Sequence, residues 1–137
     1  MDPSDELAIR NLIARVARLT DQWRVESDLT SQYVEDAVWT IEGTEPYHGH
    51  AGIIRRMREM RDAKICGPGS TMRHILSTAE VIADPTTREE ATVHSFFIMG
   101  DMTAGSAKIA GYGQYTDRVR KQDGQWRMAS RHCVAFW

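Results

Sequence analysis

Residues 106–136 read SAKIAGYGQYTDRVR, then KQDG, then QWRMASRHCVAF. Two long runs rich in β-branched and aromatic residues flank a tetrapeptide that ends Asp123-Gly124. That combination predicts two long antiparallel strands joined by a tight turn. Working backwards, residues 90–99 and 71–83 have the same β-rich character, and turn formers at 100–105 and 84–87 separate the runs. Everything after Ser70 is therefore expected to form a four-strand antiparallel meander.

The first half obeys a different period. Asp2 is a fitting N-cap with Pro3 at the first helical position, where a missing N–H costs nothing. Ile9, Leu12, Ile13, Val16 and Thr20 then recur at three- and four-residue intervals, one apolar stripe opposite Arg10, Asn11, Arg15 and Arg18. Asp21 falls beside the buried stripe. Ser27 or Asp28 is read as the cap of a short second helix that carries Leu29 and Tyr33 and ends near Glu35 and Asp36. Residues 37–41 turn extended and run into Glu42-Gly43, with Tyr47-His48-Gly49 as a short return. Ile53, Ile54, Met57 and Met60 form a third helical stripe that Gly67-Pro68-Gly69 stops. The whole, residues 1–137, reads as a single α+β domain: a conical barrel of strongly curved, mostly antiparallel sheet wrapped by three N-terminal helices. A cone closed by helices is the natural place for a small apolar ligand.

Composition narrows the function classes. A chain of 137 residues buries roughly 68% of its unfolded surface, enough for a core without disulfide or metal staples. Its 17 Lys and Arg against 19 Asp and Glu give a net charge of −2, which lacks the basic excess that nucleic-acid binding draws on. The Arg55, Arg56, Arg58 and Arg61 run is interrupted by Glu59 and Asp62 and reads as an exposed helix face. No segment approaches the ~18 apolar residues of a membrane span, and Met1 to Glu6 lacks the features of a secretory signal. Cys66 and Cys133 have no metal-ligand spacing. A cytoplasmic location, without membrane or nucleic-acid partners, is expected.

Several chemistries lack their residues. No phosphate-cradling glycine loop and no G-x-S-x-G elbow is present. His132 and Cys133, adjacent on a strand, point to opposite faces and cannot pair. His48-Gly49-His50 has a metal-like spacing but no following Glu and sits at a turn, so no metal is expected. His74 differs: Met72, His74, Leu76 and Thr78 share one strand face, so the imidazole points among apolar residues. A core histidine satisfied by a backbone carbonyl is one explanation. The other is a partner, and Asp21, a carboxylate costly to bury alone, is the candidate. Such a dyad is chemically useful, because the carboxylate fixes the tautomer while the second ring nitrogen takes a proton from substrate. Elimination or isomerisation at a moderately acidic C–H then needs no cofactor.

These residues resemble a known family. Ile9 to Arg15 followed by Thr20-Asp21, then Tyr33 to Trp39, Gly49 to Ile53, Arg73-His74, Tyr112 to Asp117 and Asp123 to Arg127 occur in the order and spacing of the nuclear transport factor 2-like superfamily, in its SnoaL-like branch. The resemblance covers nearly the whole chain and implies the same conical α+β fold. Within the branch the chain resembles scytalone dehydratase-like enzymes and the hexachlorocyclohexane dehydrochlorinase, the latter also through Trp39-Thr40-Ile41-Glu42-Gly43. The resemblance implies His74 as the base of an elimination that removes water or HCl, Asp21 as its orienting acid, Trp39 in the cavity wall, and a homo-oligomer, trimer or dimer. Two departures concern the leaving group. The dehydratase's second histidine falls here around Gly100-Asp101, with His94 too early, and the dehydrochlorinase's first-helix lysine is replaced by Arg15-Val16-Ala17-Arg18. Tyr112 and Arg131 are the remaining candidates to contact substrate, although Tyr112 would equally fill the barrel and Arg131 would equally pair with a surface acid. The chain is thus expected to be a cofactor-independent lyase acting on a small, largely apolar cyclic substrate. The alternatives are an isomerase using the same base, or a non-catalytic ligand-binding or subunit-assembly domain.

Overall fold

A computed structural model describes residues 1–22, 25–103 and 105–137; Ala104, in the turn read at 100–105, lies outside the described residues. Helix α1 (Pro3–Gln22) starts where Asp2 accepts hydrogen bonds from the Ser4 backbone N–H and hydroxyl, at 2.7 and 2.8 Å. Ile9, Leu12, Ile13 and Val16 along it are essentially inaccessible. Helix α2 (Glu26–Thr30) is shorter than its sequence suggests. Val25 is its N-cap, so Ser27 and Asp28 lie inside it rather than capping it, and the chain is already extended at Tyr33 in strand β1 (Tyr33–Ile41). The reason is non-local: Met128 donates its N–H to the Gln32 carbonyl, and Tyr33 to Ile41 pair with the last strand, which overrides the local helical preference.

Strand β2 (Tyr47–His48) returns antiparallel to β1, and helix α3 (Gly49–Asp62) follows at once. Gly49 has φ +66°, and a Cβ there would stand 3.3 Å from the Glu35 carbonyl oxygen, so a side chain would be strained on both counts. The helix ends at Asp62, ahead of the expected glycine stop. Lys64 takes the left-handed conformation at φ 58°, and the Ile65 N–H bonds back to the Met60 carbonyl.

The strand expected over 71–83 is two strands, β3 (Met72–Leu76) and β4 (Glu80–Ala83), each antiparallel to β5 (Glu90–Asp101). In the gap Ser77 exchanges bonds with Phe96, its N–H reaching the Phe96 carbonyl and its Oγ accepting the Phe96 N–H. β6 (Lys108–Gln122) and β7 (Gln125–Phe136) complete the meander. Their turn has positive φ at both Asp123 and Gly124, as a type I′ hairpin demands. The spatial order is β2-β1-β7-β6-β5-β3, with β4 also on β5. All pairings are antiparallel except β1 with β7. The sheet curves over the helices, but β2 and β3 remain edges and it does not close into a barrel. No helix among the described residues is long and apolar enough to cross a membrane.

One irregularity in the sheet directs the site. Arg118 stands opposite Ser130 and Val119 opposite Met128, which leaves Ala129 without a partner: a β-bulge in β7. Before it, Trp126 and Met128 face the core; after it, Arg131 and Cys133 do. A single extra residue switches which parity points inward.

Candidate active site

Asp21 is the penultimate residue of α1, on the side that packs against β3, and it is buried with His74. The carboxylate engages His74 twice. Oδ2 accepts the His74 backbone N–H at 2.8 Å, and Oδ1 lies 2.7 Å from ring Nδ1. Both side chains are only 6% exposed. A carboxylate can only accept, so Nδ1 carries the proton. In the neutral ring, Nε2 is then left with its lone pair, and it makes no hydrogen bond among the described residues.

The ring lines a cavity of about 10 Å³ whose other walls are Ala17, Thr20, Tyr33, Trp39, Met57, Met60, Tyr115 and Arg131. That volume suits about one water molecule. Beyond Ala17 and His74 a cleft of about 320 Å³ opens between α1 and β3, bordered by Arg18, Gln22, Arg73 and Leu76. The interior is thus largely filled by side chains, in contrast to the open cone expected from the strand pattern.

The cavity's polar lining is unusual in what it lacks. Trp39 is buried, and its Nε1–H has no acceptor among the described residues. Nor do the hydroxyls of Tyr33 and Tyr115 form a hydrogen bond among the described residues. Burial pushes the Tyr33 phenol up to about 12 against the pull of Arg131, and burial likewise raises Tyr115. Both therefore remain protonated donors near neutral pH. Burial also lifts the thiols, Cys66 to about 12 and Cys133 to about 11, which keeps them poor nucleophiles.

Arg131, read from sequence as a partner for a surface acid, instead forms a two-pronged pair with the fully buried Asp117, Nε to Oδ1 and Nη2 to Oδ2, each at 2.8 Å. Its guanidinium carbon sits 3.8 Å from the Tyr115 ring centroid. Burial opposes the charge, but the charge and hydrogen bonds of Asp117 outweigh it and hold the guanidinium above its ordinary value. Because Nε and Nη2 are taken by Asp117, Nη1 is the guanidinium nitrogen outside the pair.

Tyr112, expected at the cavity wall, lies elsewhere. It is 57% exposed and stacks on Phe136 on the outer face of the sheet. No bulge separates it from Tyr115 and Asp117 on β6, so its even number puts it on the opposite face. His50 contacts the Tyr33 carbonyl at 3.0 Å, and His48 is exposed. Among the described residues no cluster of three His, Cys, Asp or Glu side chains is placed to hold a metal ion. Asp117 was not singled out from the sequence, although a carboxylate on the apolar parity of Tyr115 and Val119 is a usable signal. Met57 and Met60 were read only as a helical stripe, yet they form the α3 side of the cavity.

Comparisons with known proteins agree with this architecture. The chain belongs to the SnoaL-like domain family, whose model matches residues 2–132. Among solved structures it is similar to an NTF2-like protein with a cystatin-like fold from Novosphingobium aromaticivorans, at 21% identity and a TM-score of 0.81, over 96% of this chain and 81% of that one. It is also similar to the hexachlorocyclohexane dehydrochlorinase LinA-type3 of Novosphingobium barchaimii LL02, at 18% identity and a TM-score of 0.77, covering 98% and 88%. A candidate scytalone dehydratase from Novosphingobium aromaticivorans matches at 22% identity and a TM-score of 0.75, covering 98% and 85%. At such identities these likenesses establish a shared fold. No curated protein matches the chain.

Proposed function

We propose that this SnoaL-like chain is a cofactor-independent lyase that removes water or a halide from a small, largely apolar cyclic substrate, with His74 as the base and Asp21 as its positioning residue. The single observation that carries the reading is the double engagement of His74 by Asp21. A carboxylate that holds both the backbone N–H and Nδ1–H fixes ring position and tautomer together, and it stabilises the imidazolium that forms when Nε2 takes a proton.

In the proposed step Nε2 removes a proton from carbon. The C–H electron pair becomes the new double bond while the bond from the neighbouring carbon to the leaving group breaks. A halide leaves with its electron pair and needs only hydrogen-bond donors; a hydroxyl group needs a proton as it departs. The Trp39 indole N–H, the Arg131 guanidinium and the phenols of Tyr33 and Tyr115 line the same cavity and supply donors of both kinds. Substrate must enlarge a cavity this small, and Met57 and Met60, unbranched and adaptable, are the walls best able to move. A base that returns its proton to another carbon of the same substrate would make the chain an isomerase.

The confined cavity and 6% exposure of the dyad favour a second reading, a buried structural pair in a non-catalytic binding or assembly domain. A panel of cyclic alcohols, ketones and halides in deuterated water, followed by NMR for exchange at carbon and for alkene formation, separates the two. On any substrate so found, His74→Ala is expected to lose roughly 10²–10⁴-fold in turnover with the fold retained by circular dichroism. Undiminished turnover in that variant would refute the role of His74. Absence of exchange or product across the panel, with His74→Ala merely less stable, would favour the structural pair.

A further inference from the structure

We propose that Arg56 is the anion-recognising residue of the site and that the cyclic substrate carries one carboxylate, an inference that rests on the lyase reading for the placing of the ring beside His74. The sequence puts Arg55, Arg56, Arg58 and Arg61 together on an exposed helix face, and Arg56 departs from that expectation. It stands three residues after Ile53 and four before Met60, both buried, so it occupies a position of the inward stripe of α3. The residue is half-buried, and its Nε is a buried donor without a hydrogen-bond partner among the described residues. Its guanidinium carbon lies 5.0 Å from the ring centroid of Trp39, which lines the same cavity as His74, and 5.9 Å from that of Tyr47.

No counter-charge meets this cation at short range. Arg58 pairs with Glu26 at 2.7 Å, but no carboxylate stands within ion-pair distance of Arg56 among the described residues. Glu59, three residues along the helix, accepts the Tyr47 hydroxyl instead. That bond and then burial raise the Tyr47 phenol against the charge and hydrogen bond of Arg56, so the aromatic rings beside the cation stay neutral. Arg55, exposed, lies 4.6 Å from the Tyr47 ring centroid and adds positive potential there. The charge of Arg56 also reaches inward. Burial raises the Cys66 thiol, Asp21 adds to the rise and Arg56 opposes it; burial raises Cys133, and Arg131 and then Arg56 oppose that. The dyad carboxylate and Arg56 thus act on one side chain, Cys66. A half-buried cation without a counter-charge is costly, and a bound anion removes the cost.

Charge and donor geometry name the anion. One half-buried cation matches one negative charge, and a carboxylate can accept from the Nε–H and an adjacent Nη–H of a guanidinium together. A phosphate would bring further charge and a third oxygen, while the neighbouring buried cation, Arg131, is already held by Asp117. Trp39 supports the guanidinium on its ring face, and its Nε1–H lies in the ring plane, so the donor assigned to the leaving group is not used twice. A carboxylate on the carbon that loses its proton also takes up charge released there, which a facing guanidinium stabilises. The substrate is then a small cyclic hydroxy or halo acid, its ring among Trp39, Met57 and Met60 and its carboxylate toward Arg56.

Titration with benzoate and with benzamide, its uncharged isostere, tests the assignment, read on the Trp39 indole and Arg56 Nε–H signals in proton–nitrogen NMR spectra. Benzoate is expected to bind the wild-type chain about tenfold or more tightly than benzamide and to shift the Arg56 Nε–H as it gains an acceptor. Arg56→Met should remove that preference and leave benzamide binding unchanged, and Arg56→Lys should restore part of it. Arg88→Met, at an exposed position between β4 and β5, should keep it. His74→Ala should keep it too, so the titrations are decided separately from the exchange and product assays that test the base. Equal affinity for the two probes, no movement of either signal, or a preference that survives in Arg56→Met would overturn the proposal. The Arg56 Nε–H signal decides it on the wild-type chain even if a variant fails to fold. Displacement of benzoate by chloride at equal concentration would overturn the carboxylate assignment and give Arg56 to a departing halide.

Discussion

Replacing Asp21 with asparagine tests the dyad at the level of a single proton. The carboxylate has two acceptors, one for the His74 backbone N–H and one for ring Nδ1, at 2.8 and 2.7 Å. An amide has one acceptor and one donor group. The backbone N–H is an obligatory donor and cannot change role, so in the Asp21→Asn variant the amide oxygen must face it and the amide NH₂ must face Nδ1. Nδ1 can then only accept, and the ring proton moves to Nε2, the atom that has to be bare for a base. Exchanging two charge-assisted bonds, each worth ~1.5–3 kcal/mol, for two neutral ones, each worth ~0.5–1.5, should lower stability by about 2–3 kcal/mol. The chemical cost is much larger, because an acid-to-amide change that reverses the tautomer of a catalytic histidine lowers turnover by about 10⁴ in serine proteases. Long-range proton–nitrogen NMR correlation reads the tautomer directly and needs no substrate. Wild-type protein, with the ring neutral, should show a protonated Nδ1 and a bare Nε2, and the variant should show the reverse. A wild-type ring protonated at Nε2 alone, or a variant that keeps Nε2 bare, would refute the reasoning whatever the activity.

Two further outcomes follow from other charges. Asp117→Asn strands the Arg131 guanidinium, 5% exposed, without its counter-charge and should cost about 3–5 kcal/mol by urea unfolding, whereas Asp117→Leu combined with Arg131→Met should recover most of it. Equal losses in the single and double variants would mean that packing, not charge, holds these strands. At the other end of the fold, hydrogen bonds from Lys121 and then Trp126 to Asp5, each at 2.8 Å, hold its carboxyl below the ordinary 3.8. A depressed carboxyl contributes stability that is fully present above that ordinary value and disappears as pH falls through the folded one. Urea midpoints should therefore drop more steeply with acid in wild type than in Asp5→Asn, and parallel acid limbs would show that Asp5 carries none of the dependence.

The elements legible in the sequence were those whose pattern is local. The α1 stripe, its Asp2 cap and the Asp123-Gly124 turn each depend on residues a few positions apart, and each forms as its spacing implies. Asp21 beside the stripe and His74 on an apolar strand parity were legible for the same reason. Features made by pairing were not. Tyr33 to Asp36 look helical until β7 supplies a parallel partner. Counting back from the 121–124 turn, where Gln122 faces Gln125, would set Asp117 against Ser130; the bulge at Ala129 moves its partner to Arg131 and turns that arginine inward. Strict alternation from Met128 would have left Arg131 outside. Tyr112 is the opposite case, since unbroken alternation from Tyr115 and Asp117 was sufficient to place it on the outer face.

What separates a reactive centre from a merely buried pair is the state of the groups around it. A structural histidine and aspartate that satisfy one another need nothing further from the core, and a well-packed interior would pair or exclude the remaining donors, since each buried donor without an acceptor costs about 1–3 kcal/mol. Here the opposite has happened. Asp21 is fully used and Arg131 is held by Asp117, while among the described residues the buried Trp39 N–H has no acceptor and the Tyr33 and Tyr115 hydroxyls, which line the same small space, make no hydrogen bond. A donor-rich wall facing an acceptor, the bare Nε2, has the polarity that an elimination requires: a base at one side for the proton and donors at the other for the group that leaves with electrons. On this view a leaving group that accepts from those donors supplies an acceptor that the described residues do not. Trp39→Phe, which deletes one of them while keeping an aromatic wall, should then lower turnover more than it lowers stability.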